Sequence, residues 1–439
     1  MRFFRWLYPG LGVKRWLALF TLGVFLIAAG LAVAVDVHVL GQLEEGMRNL
    51  TTAATGRFVA RGIRGAVLIV LGAFLAFVAM QRIVRTIVLG VLPAGIQGIA
   101  NTIYQRRQLA RGPRVVAIGG GTGLSVLLRG LKQYTSNITA IVTVADDGGS
   151  SGRLRQEMGV LPPGDIRNCL VALADAEPMM QSLFQYRFKG GRLEGHSFGN
   201  LFIAAMSELT GDFEEAVRAS SKVLAIRGRV LPSTLAKVTL NAEFEDGTVI
   251  RGETNISKSF KRIKRVFLKP EDHEGEVIEA VPEAVEAIGS ADLVILGPGS
   301  LYTSVVPNLA VSGLAEAVRN TPARVVYIVN VMTQPGETDG LDAADHVRAV
   351  LSQLGPGAVD SVVVAGDSIP QARLRAYAEL GAHPVTAAPK SLEELPVKTV
   401  RAQVIAATGL IRHDPDRLAK AVLRLAEVNR PVVRRDDQG

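Results

Sequence analysis

The chain has 439 residues, of which 48% are hydrophobic, and a formal net charge of +8. This hydrophobic content is high for a soluble protein and predicts that part of the chain lies in lipid. Residues 1–114 carry fourteen Lys and Arg against three acids, so the remainder has a net charge of −3. A remainder without net positive charge argues against nucleic-acid binding. The single cysteine, Cys169, excludes an intramolecular disulfide and is expected to be a small buried residue.

Two apolar runs near the N-terminus predict transmembrane helices. The first covers residues 16–40 with two polar interruptions, and the second covers residues 65–80. The second run lengthens to residue 92 if Arg82 and Arg85 extend their side chains to the membrane surface. We therefore place the helices at about 16–38 and 65–88. A cleaved signal peptide is the alternative for the first run, but no clear small-residue cleavage site precedes the second.

Basic residues flank both outer ends of this helix pair. By the positive-inside rule both ends lie in the cytoplasm, although the connecting loop also carries four arginines. The flanking residues are Arg2, Arg5, Lys14, Arg15, Arg82, Arg85, Arg106 and Arg107. We predict a multi-pass protein of the cytoplasmic membrane, with an anchor over residues 1–110 that ends in a basic linker and a cytoplasmic module over residues 111–439.

A glycine-rich turn follows the first predicted strand of the module. In RVVAIGGGTGLSVLLRGL a β-branched run leads into Gly119–Gly123, and apolar residues at helical spacing follow. Such a strand, turn and helix can direct backbone N–H groups and a helix N-terminus toward a phosphate. The dinucleotide fingerprint is incomplete, because Leu124 stands where its third glycine is expected. A glycine turn without a ligand is the alternative.

Further strand-like runs alternate with helical patterns along the module. They are NITAIVTVADD, ADLVILGPGS, ARVVYIVNVM, VDSVVVAGDS and KTVRAQVIA. Near-continuous apolar strands that alternate with helices predict an α/β fold with a Rossmann-like, doubly wound, mainly parallel sheet that binds ligands at the carboxyl ends of its strands. The segment TLAKVTLNAEFEDGTVIRGETNIS instead alternates polar and apolar residues and predicts an inserted antiparallel hairpin.

Polar residues follow the clearest strands and supply the candidate site. Asp146 and Asp147 come about 24 residues after the glycine turn, close to the roughly 20-residue offset of a ribose-binding acid. A Mg²⁺ site, a substrate loop and an ordinary polar turn are the alternatives. The other strand ends with unusual residues are 297–300, 330–336 and 366–368.

Two predicted helix starts add further candidates. Asp165 is expected to cap the helix that begins in PPGDIRNCLVAL, and Asn168 either decorates its first turn or contacts a ligand. In GHSFGNLFIAAM, Ser197 and Asn200 precede an apolar helix whose N-terminus could bind an anion. Neighbouring His196 and Ser197 do not predict a nucleophile and its base, and no nucleophile elbow, Walker A, HExxH or kinase motif is present.

Seven ordered motifs together resemble the YvcK family, also called gluconeogenesis factors. They are AIGGGTGLSVLLRGLK, VTVADDGGSSGRLR, LPPGDIRNCLVALA, GHSFGNL, GPGSLYTSVVPNL, NVMTQPGETDG and YAELGAHPV, within about residues 114–425. The family is related to CofD, the 2-phospho-L-lactate transferase of coenzyme F420 synthesis, and shares its Rossmann-like core. The resemblance implies binding of UDP-N-acetylglucosamine or UDP-glucose and support of cell shape and wall synthesis during gluconeogenic growth.

The same resemblance assigns residues to the nucleotide-sugar pocket. The glycine turn would hold the diphosphate, two later motifs would complete the pocket, and a late tyrosine and arginine would contact the UDP-sugar. These residues are Gly120, Gly121, Thr122, Gly123, Ser197, Asn200, Gly299, Ser300, Tyr377 and Arg412.

Three functions remain for the module. The first is a membrane-tethered UDP-sugar regulatory protein that acts through partners such as cell-wall synthesis proteins or as a homo-oligomer. The second is a CofD-type transferase in which Asp146 or Asp147 holds Mg²⁺. The third is a nicotinamide-dependent dehydrogenase, which the incomplete glycine fingerprint disfavours. The form of the GGSSGRLR segment after the paired aspartates favours the first function.

Overall fold

A computed structural model describes residues 13–35, 61–91, 107–175, 178–271 and 275–426. The chain divides into two compact units, Met1–Arg106 and Arg107–Gly439. Parts of the predicted anchor lie outside the described residues, namely the end of the first span at 36–38, most of the loop between the spans, and the basic residues Arg2, Arg5 and Arg106.

The first unit contains two long apolar helices, α1 (Val13–Val35) and α2 (Arg61–Val91). The segments Arg15–Val33 and Gly65–Thr86 are long and apolar enough to cross a membrane, each with a mean hydropathy of 2.3. A signal sequence or the core helix of a soluble protein can have the same length and composition. These helices therefore suggest membrane association by length and composition alone.

Glycines bring α1 and α2 into close antiparallel contact. A Cβ at Gly23 would lie 2.7 Å from the Gly72 carbonyl oxygen, and a Cβ at Gly30 would lie 2.7 Å from the Gly65 carbonyl oxygen. Small residues permit this approach of two backbones, as in other tightly packed helix pairs. The Trp16 ring, near the start of α1, also contacts the Arg82 guanidinium near the end of α2, at 5.3 Å from the ring centroid.

The second unit is built on a seven-stranded sheet in which every described pairing is parallel. Its strands are β1 (Val115–Gly119), β2 (Ile138–Val142), β3 (Arg229–Pro232), β7 (Leu293–Leu296), β8 (Arg324–Ile328), β9 (Ser361–Ala365) and β10 (Lys398–Ala402). The strand order is β10-β9-β8-β7-β1-β2-β3. The chain moves outward in one direction from β1 and in the other from β7, which is the doubly wound order of Rossmann folds.

Helices connect these strands and cover the sheet. They are α3 (Gly121–Leu131), α4 (Gly149–Met158), α5 (Gly164–Leu173), α6 (Pro178–Gln185), α7 (Phe198–Thr210), α8 (Phe213–Val223), α9 (Glu253–Lys258), α10 (Pro282–Ser290), α11 (Val306–Leu309), α12 (Leu314–Asn320), α13 (Ala343–Leu354), α14 (Gln371–Ala378), α15 (Pro389–Glu393) and α16 (Pro415–Ala426). Because β1–α3–β2 and β7–α12–β8 progress in opposite directions, right-handed crossovers place α3 and α12 on opposite faces.

A three-stranded antiparallel sheet is inserted between β3 and β7. It consists of β4 (Val238–Phe244), β5 (Val249–Arg251) and β6 (Ile263–Pro270), with β4 in the centre. Apolar residues of β4, such as Leu240 and Phe244, belong to the same buried core as the main sheet. The inserted sheet is therefore continuous with the core of the second unit.

The structure confirms the predicted fold class. The five predicted strand runs after β1 contain β2, β7, β8, β9 and β10, and the predicted hairpin contains β4 and β5. Cys169 is fully buried, as expected. The strands β3 and β6 were not predicted.

Candidate functional site

Two loops lie side by side where the strand order reverses between β1 and β7. A Cβ at Gly123 would lie 2.7 Å from the Pro298 carbonyl oxygen, and a Cβ at Gly299 would lie 3.1 Å from the Gly120 carbonyl oxygen. These glycines permit backbone contacts that a side chain would block. Ligands of open α/β sheets bind at such a reversal point, over the carboxyl ends of the strands. The structure thus brings the glycine turn and the 297–300 loop together at the expected edge.

The glycine turn begins α3, with Gly121 in the left-handed region at φ +66°. Thr122 is exposed in the first turn of this helix. The Gly121 N–H donates a hydrogen bond to the Asp165 carboxylate, and a Cβ at Gly120 would lie 2.5 Å from Asp165 Oδ2. The N-terminus of α3 therefore already contacts a carboxylate of the protein itself.

The expectation that Asp165 caps its own helix was wrong. The helix α5 begins at Gly164 with Pro163 in the N-cap position, and no side chain caps it. Asp165 instead reaches across to α3. Burial, and then the nearby Asp146, raise its pKa to about 6, while Asn168 donates a hydrogen bond to it.

The paired aspartates after β2 serve different loops. Asp146 Oδ1 accepts a hydrogen bond from the Gly148 N–H at 2.8 Å. Burial is the main cause that raises the pKa of Asp146. Asp147 Oδ1 accepts from the Thr254 N–H at 3.0 Å and from Thr254 Oγ1 at 2.8 Å. Asp147 therefore holds the first turn of α9 against the end of β2.

Two further acids lie close to this edge, and the sequence reading did not single them out. Burial raises the pKa of Glu253 well above its usual range, and neighbouring Asp146 and Asp165 add to the effect. Burial also raises the pKa of Glu337 to about 7. Gln334 Nε2 donates to Glu337 at 2.7 Å, and Ser257 and Thr303 hydroxyls donate at 3.3 and 3.2 Å. Glu337 lies within the NVMTQPGETDG motif, but neither that motif nor the segment around Glu253 marks the acid itself.

A polar network lies on the other side of Asp165. Arg167 donates to Ser197 Oγ, to Asn200 Oδ1 at 2.9 Å and to Asn168 Oδ1 at 2.7 Å. Ser197 is the N-cap of α7 and accepts from the Asn200 N–H. The structure thus brings three sequence-predicted residues, Asn168, Ser197 and Asn200, around the guanidinium of Arg167, which the sequence analysis did not single out.

The 297–300 loop is linked to the loop after β8. Ser300 donates from Oγ to Gln334 Oε1, and Gln334 in turn donates to Glu337. Asn308 Nδ2, at the end of the following turn, donates to the Gly119 carbonyl at 3.1 Å. Gly299 and Ser300 therefore sit between the glycine turn and the Glu337 cluster.

Tyr377 and Arg412 lie apart from this network in the described contacts. The Tyr377 hydroxyl oxygen accepts a hydrogen bond from the Ile411 N–H at 2.8 Å, and its ring packs on a small cluster that contains Val331, Ile405 and Ile411. Arg412 is exposed, and its charge adds to the burial that lowers the pKa of Arg129 on α3. Tyr377 lies on α14, and Arg412 lies in the segment between β10 and α16.

The acids offer limited support for a bound cation. Among the described residues, no group of three or more His, Cys, Asp or Glu side chains has the geometry of a metal site. Mg²⁺ characteristically takes one or two carboxylates together with substrate phosphates. Asp146 and Asp165 are close enough to interact electrostatically and could supply two such oxygens, whereas one oxygen of Asp147 is engaged by Thr254.

Comparison with known proteins assigns the family. The sequence profile of CofD, described as 2-phospho-L-lactate transferase CofD, matches residues 115–405, which makes the second unit a CofD-type α/β domain. The gluconeogenesis factor of Bacillus subtilis (strain 168) is 51% identical over 315 residues, covering 71% of this chain and 98% of that protein. A relative from Nostoc sp. (strain PCC 7120) is 48% identical over 427 residues, covering 96% of this chain and 92% of the relative.

Solved structures agree with this assignment. A crystal structure of a UPF0052 family protein from Bacillus halodurans is 49% identical, with a TM-score of 0.68, and covers 71% of this chain and 99% of that one. The chain belongs to the gluconeogenesis factor family within the CofD group. The Nostoc match extends into the first unit, because it covers 96% of the present chain.

Proposed function

We propose that the second unit binds a nucleotide sugar, UDP-N-acetylglucosamine or UDP-glucose, and acts as a regulatory protein for cell shape, wall synthesis and growth on gluconeogenic carbon sources. The observation that carries this proposal is the meeting of the glycine turn with the 297–300 loop at the reversal of strand order. In doubly wound folds this is where a nucleotide's phosphates approach the backbone. Polar groups of Asn168, Ser197 and Asn200 lie close by to orient a ligand.

A regulatory role fits the chemistry of the site better than covalent catalysis by a protein nucleophile. The hydroxyls of Ser197 and Ser300 are engaged in hydrogen bonds to neighbouring side chains, and Cys169 is buried with its thiol pKa raised well above the usual range by burial. None of these groups is prepared as a nucleophile. Ligand binding would then change how the protein interacts with partners such as cell-wall synthesis proteins or a second copy of itself.

The first unit would hold this domain at the cytoplasmic membrane as a multi-pass anchor. Antiparallel α1 and α2 have the ends Trp16 and Arg82 on the same side. Tryptophan and arginine are favoured at the membrane surface. Both ends of the pair, and hence the C-terminal domain, would lie in the cytoplasm, beside the place where wall precursors are made.

A CofD-type transfer reaction is the second candidate, and the carboxylates near the glycine turn favour it. Asp146 and Asp165 would hold Mg²⁺ together with a phosphate of the substrate, and the ion would neutralise charge on the phospho group. Asn168 and Arg167 would keep Asp165 in place by hydrogen bonds and charge. Time-dependent release of UMP or UDP from a nucleotide sugar, in proportion to protein, would establish this reaction and overturn the regulatory proposal.

A thermal-shift screen of residues 107–439 tests the binding proposal. This fragment is the second compact unit, and the solved Bacillus halodurans protein, which matches 71% of this chain, shows that a protein of about this length folds on its own. We expect UDP-N-acetylglucosamine, at 100 times its Kd, to raise Tm by about 5 °C, because it stabilises only the native state. NADPH is the comparison ligand. A shift with NADPH and none with millimolar UDP-N-acetylglucosamine or UDP-glucose would reject the proposal in favour of a dehydrogenase.

A further inference from the structure

Arg167 is a buried cation whose side-chain hydrogen bonds go to neutral groups. Its side chain lies on α5 and the residue is only 8% exposed. Among the described residues no Asp or Glu forms an ion pair with its guanidinium, and its Nε is buried without a hydrogen-bond partner. Burial, and then the nearby Arg187, lower its pKa, and the charges of Asp165 and Asp146 oppose this shift only in part. A buried charge is costly unless opposite charge compensates it fully, so the partly compensated guanidinium with its unpartnered Nε favours a further anion from outside the protein.

The neutral partners of Arg167 fix its position at the start of α7. Ser197 Oγ and Asn200 Oδ1 accept from Nη1, and Asn168 Oδ1 accepts from Nη2. A Cβ at Gly199 would lie 2.8 Å from Arg167 Cδ, so the arginine stem crosses the first turn of this 13-residue helix directly. The guanidinium and the positive end of the α7 dipole therefore act on the same space.

Two more arginines reinforce the positive potential. Arg153 donates to the Glu194 carbonyl at 2.7 Å, and Arg187 donates to the Gly195 carbonyl. These backbone carbonyls orient the guanidinium groups without neutralising their charge. The charge of Arg187 adds to the burial that lowers the pKa of Arg167. The three cations come from different segments: Arg153 is on α4, Arg167 is on α5 and Arg187 follows α6.

The N-terminus of α3 is less available to a phosphate. The Asp165 carboxylate already accepts the Gly121 N–H and lies beside Gly120. A phosphate at the same place would have to approach this carboxylate or displace it. Like charges at this distance repel, whereas at Arg167 a phosphate meets a cation whose hydrogen bonds go to neutral side chains.

We propose that Arg167, at the N-terminus of α7, binds a phosphate of the nucleotide ligand, so that the diphosphate lies on the α7 side of the glycine turn. This inference rests on the proposed nucleotide-sugar function. Ser197 and Asn200 act as positioning residues that hold the guanidinium. Arg153 and Arg187 add long-range attraction for the same phosphate.

Calorimetric titration of residues 107–439 with UDP-N-acetylglucosamine and, separately, with inorganic pyrophosphate tests the assignment. We expect Arg167→Gln to weaken both ligands about 10- to 100-fold, the usual effect of losing a charge-assisted hydrogen bond. Arg167→Lys keeps the charge but loses Nε and the planar fork, so it should bind more tightly than the Gln variant and less tightly than wild type. Arg218→Gln, an exposed arginine on α8, is the control and should bind like wild type.

The melting temperature without ligand separates binding from a structural role. We expect Arg167→Gln to melt within about 2 °C of wild type, because removal of a buried charge that is only partly compensated offsets the lost hydrogen bonds. A large fall in Tm with an unchanged Kd would instead show a structural role and overturn the inference. If the Gln variant does not fold, the Lys variant decides, and wild-type affinity in it rejects the assignment.

The two probes keep this inference distinct from the proposed function. Binding of pyrophosphate that depends on Arg167, without binding of UDP-sugars, would support the phosphate site and reject the proposed ligand. Binding of UDP-N-acetylglucosamine that is unchanged in Arg167→Gln would support the proposed ligand and reject the phosphate site. Binding of neither probe to the wild-type fragment would reject both.

Discussion

Asp146 and Asp147 are adjacent in sequence, yet their carboxylates have different partners. Asp146 accepts from the loop that leads into α4, whereas Asp147 accepts from Thr254 of α9, more than 100 residues away. The local sequence predicts that polar residues end the strand. It cannot predict which of them contacts a distant helix, because that contact depends on where the inserted sheet packs.

Asp165 and Arg167 illustrate the same limit. The sequence marks a helix start at PPGDIRN, and the structure confirms a helix there. Asp165 nevertheless contacts α3, and Arg167 contacts α7. The sequence does not identify Glu253 or Glu337 as buried acids, although Glu337 lies within the NVMTQPGETDG motif, because burial depends on the side chains that other segments place around them.

Glu337 should make the stability of the domain depend on pH. Its folded pKa is about 7, raised from 4.5 by burial, so between pH 4.5 and 7 the unfolded chain loses a proton that the folded chain retains. Stability from this group is therefore present at low pH and lost as pH rises through that window. The free energy of unfolding of Glu337→Gln, measured relative to wild type, should therefore increase by about 3 kcal/mol as the pH rises from 4.5 to 7.5.

Urea denaturation of residues 107–439 at the two pH values measures this difference. Glu316→Gln, an exposed acid on α12, is the control and should show no comparable gain. A Glu337→Gln effect of equal size at both pH values would show that the carboxyl titrates normally in the folded protein.

At the scale of elements, α3 and α16 meet through a glycine. A Cβ at Gly130 would lie 1.9 Å from the Pro415 carbonyl oxygen, a contact that requires the backbone of α16 to move. Gly130→Ala should lower the free energy of unfolding by about 1–3 kcal/mol, as overpacking does. Gly289→Ala on α10 is the matched control: nothing lies within 4 Å of the new methyl group, and the higher helix propensity of Ala should stabilise by up to about 1 kcal/mol.

Urea denaturation of the two glycine variants, compared with wild type, checks both signs. Opposite effects support the close contact between α3 and α16. Equal stabilisation by both alanines would mean that the helices do not approach each other at Gly130.

The elements that the sequence failed to predict have ordinary physical reasons. The strand β3 has only four residues and ends in proline, so it gives no clear period. In β6 the charged residues Lys264, Arg265 and Lys269 interrupt the apolar residues, because this strand is at the edge of the inserted sheet and partly faces solvent. The central strands of the main sheet are buried throughout, and their continuous apolar runs were recognisable.

At the scale of the whole molecule, the order of the strands in the sheet could not be predicted from the sequence. Alternating strands and helices predict a parallel, doubly wound sheet, and the structure confirms it. They do not say which strands are neighbours, so the reversal between β1 and β7 is known only from the hydrogen-bonded strand pairs of the structure. The same holds for the meeting of the glycine turn with the 297–300 loop, which are about 180 residues apart in the sequence.

The proposed anchor predicts how the whole chain behaves in cells. The full chain should sediment with membranes and resist extraction by alkaline carbonate, because two apolar spans remain in the bilayer. Residues 107–439 alone should stay in the supernatant. A full chain that carbonate releases, or that loses its first apolar helix by cleavage, would contradict a multi-pass anchor.

Calorimetric titration of residues 107–439 with UDP-N-acetylglucosamine tests the central claim that the reversal between β1 and β7 is a nucleotide-sugar site. The decisive comparison is Gly123→Ala, whose Cβ would lie 2.7 Å from the Pro298 carbonyl oxygen, against Gly190→Ala, where nothing lies within 4 Å. We predict one binding site per chain, with equal affinity, in wild type and in Gly190→Ala. In a folded Gly123→Ala the affinity should fall about tenfold or more, because the glycine turn shifts away from its neighbouring loop. Absence of binding to wild type, or equal affinity in all three proteins, would contradict the claim.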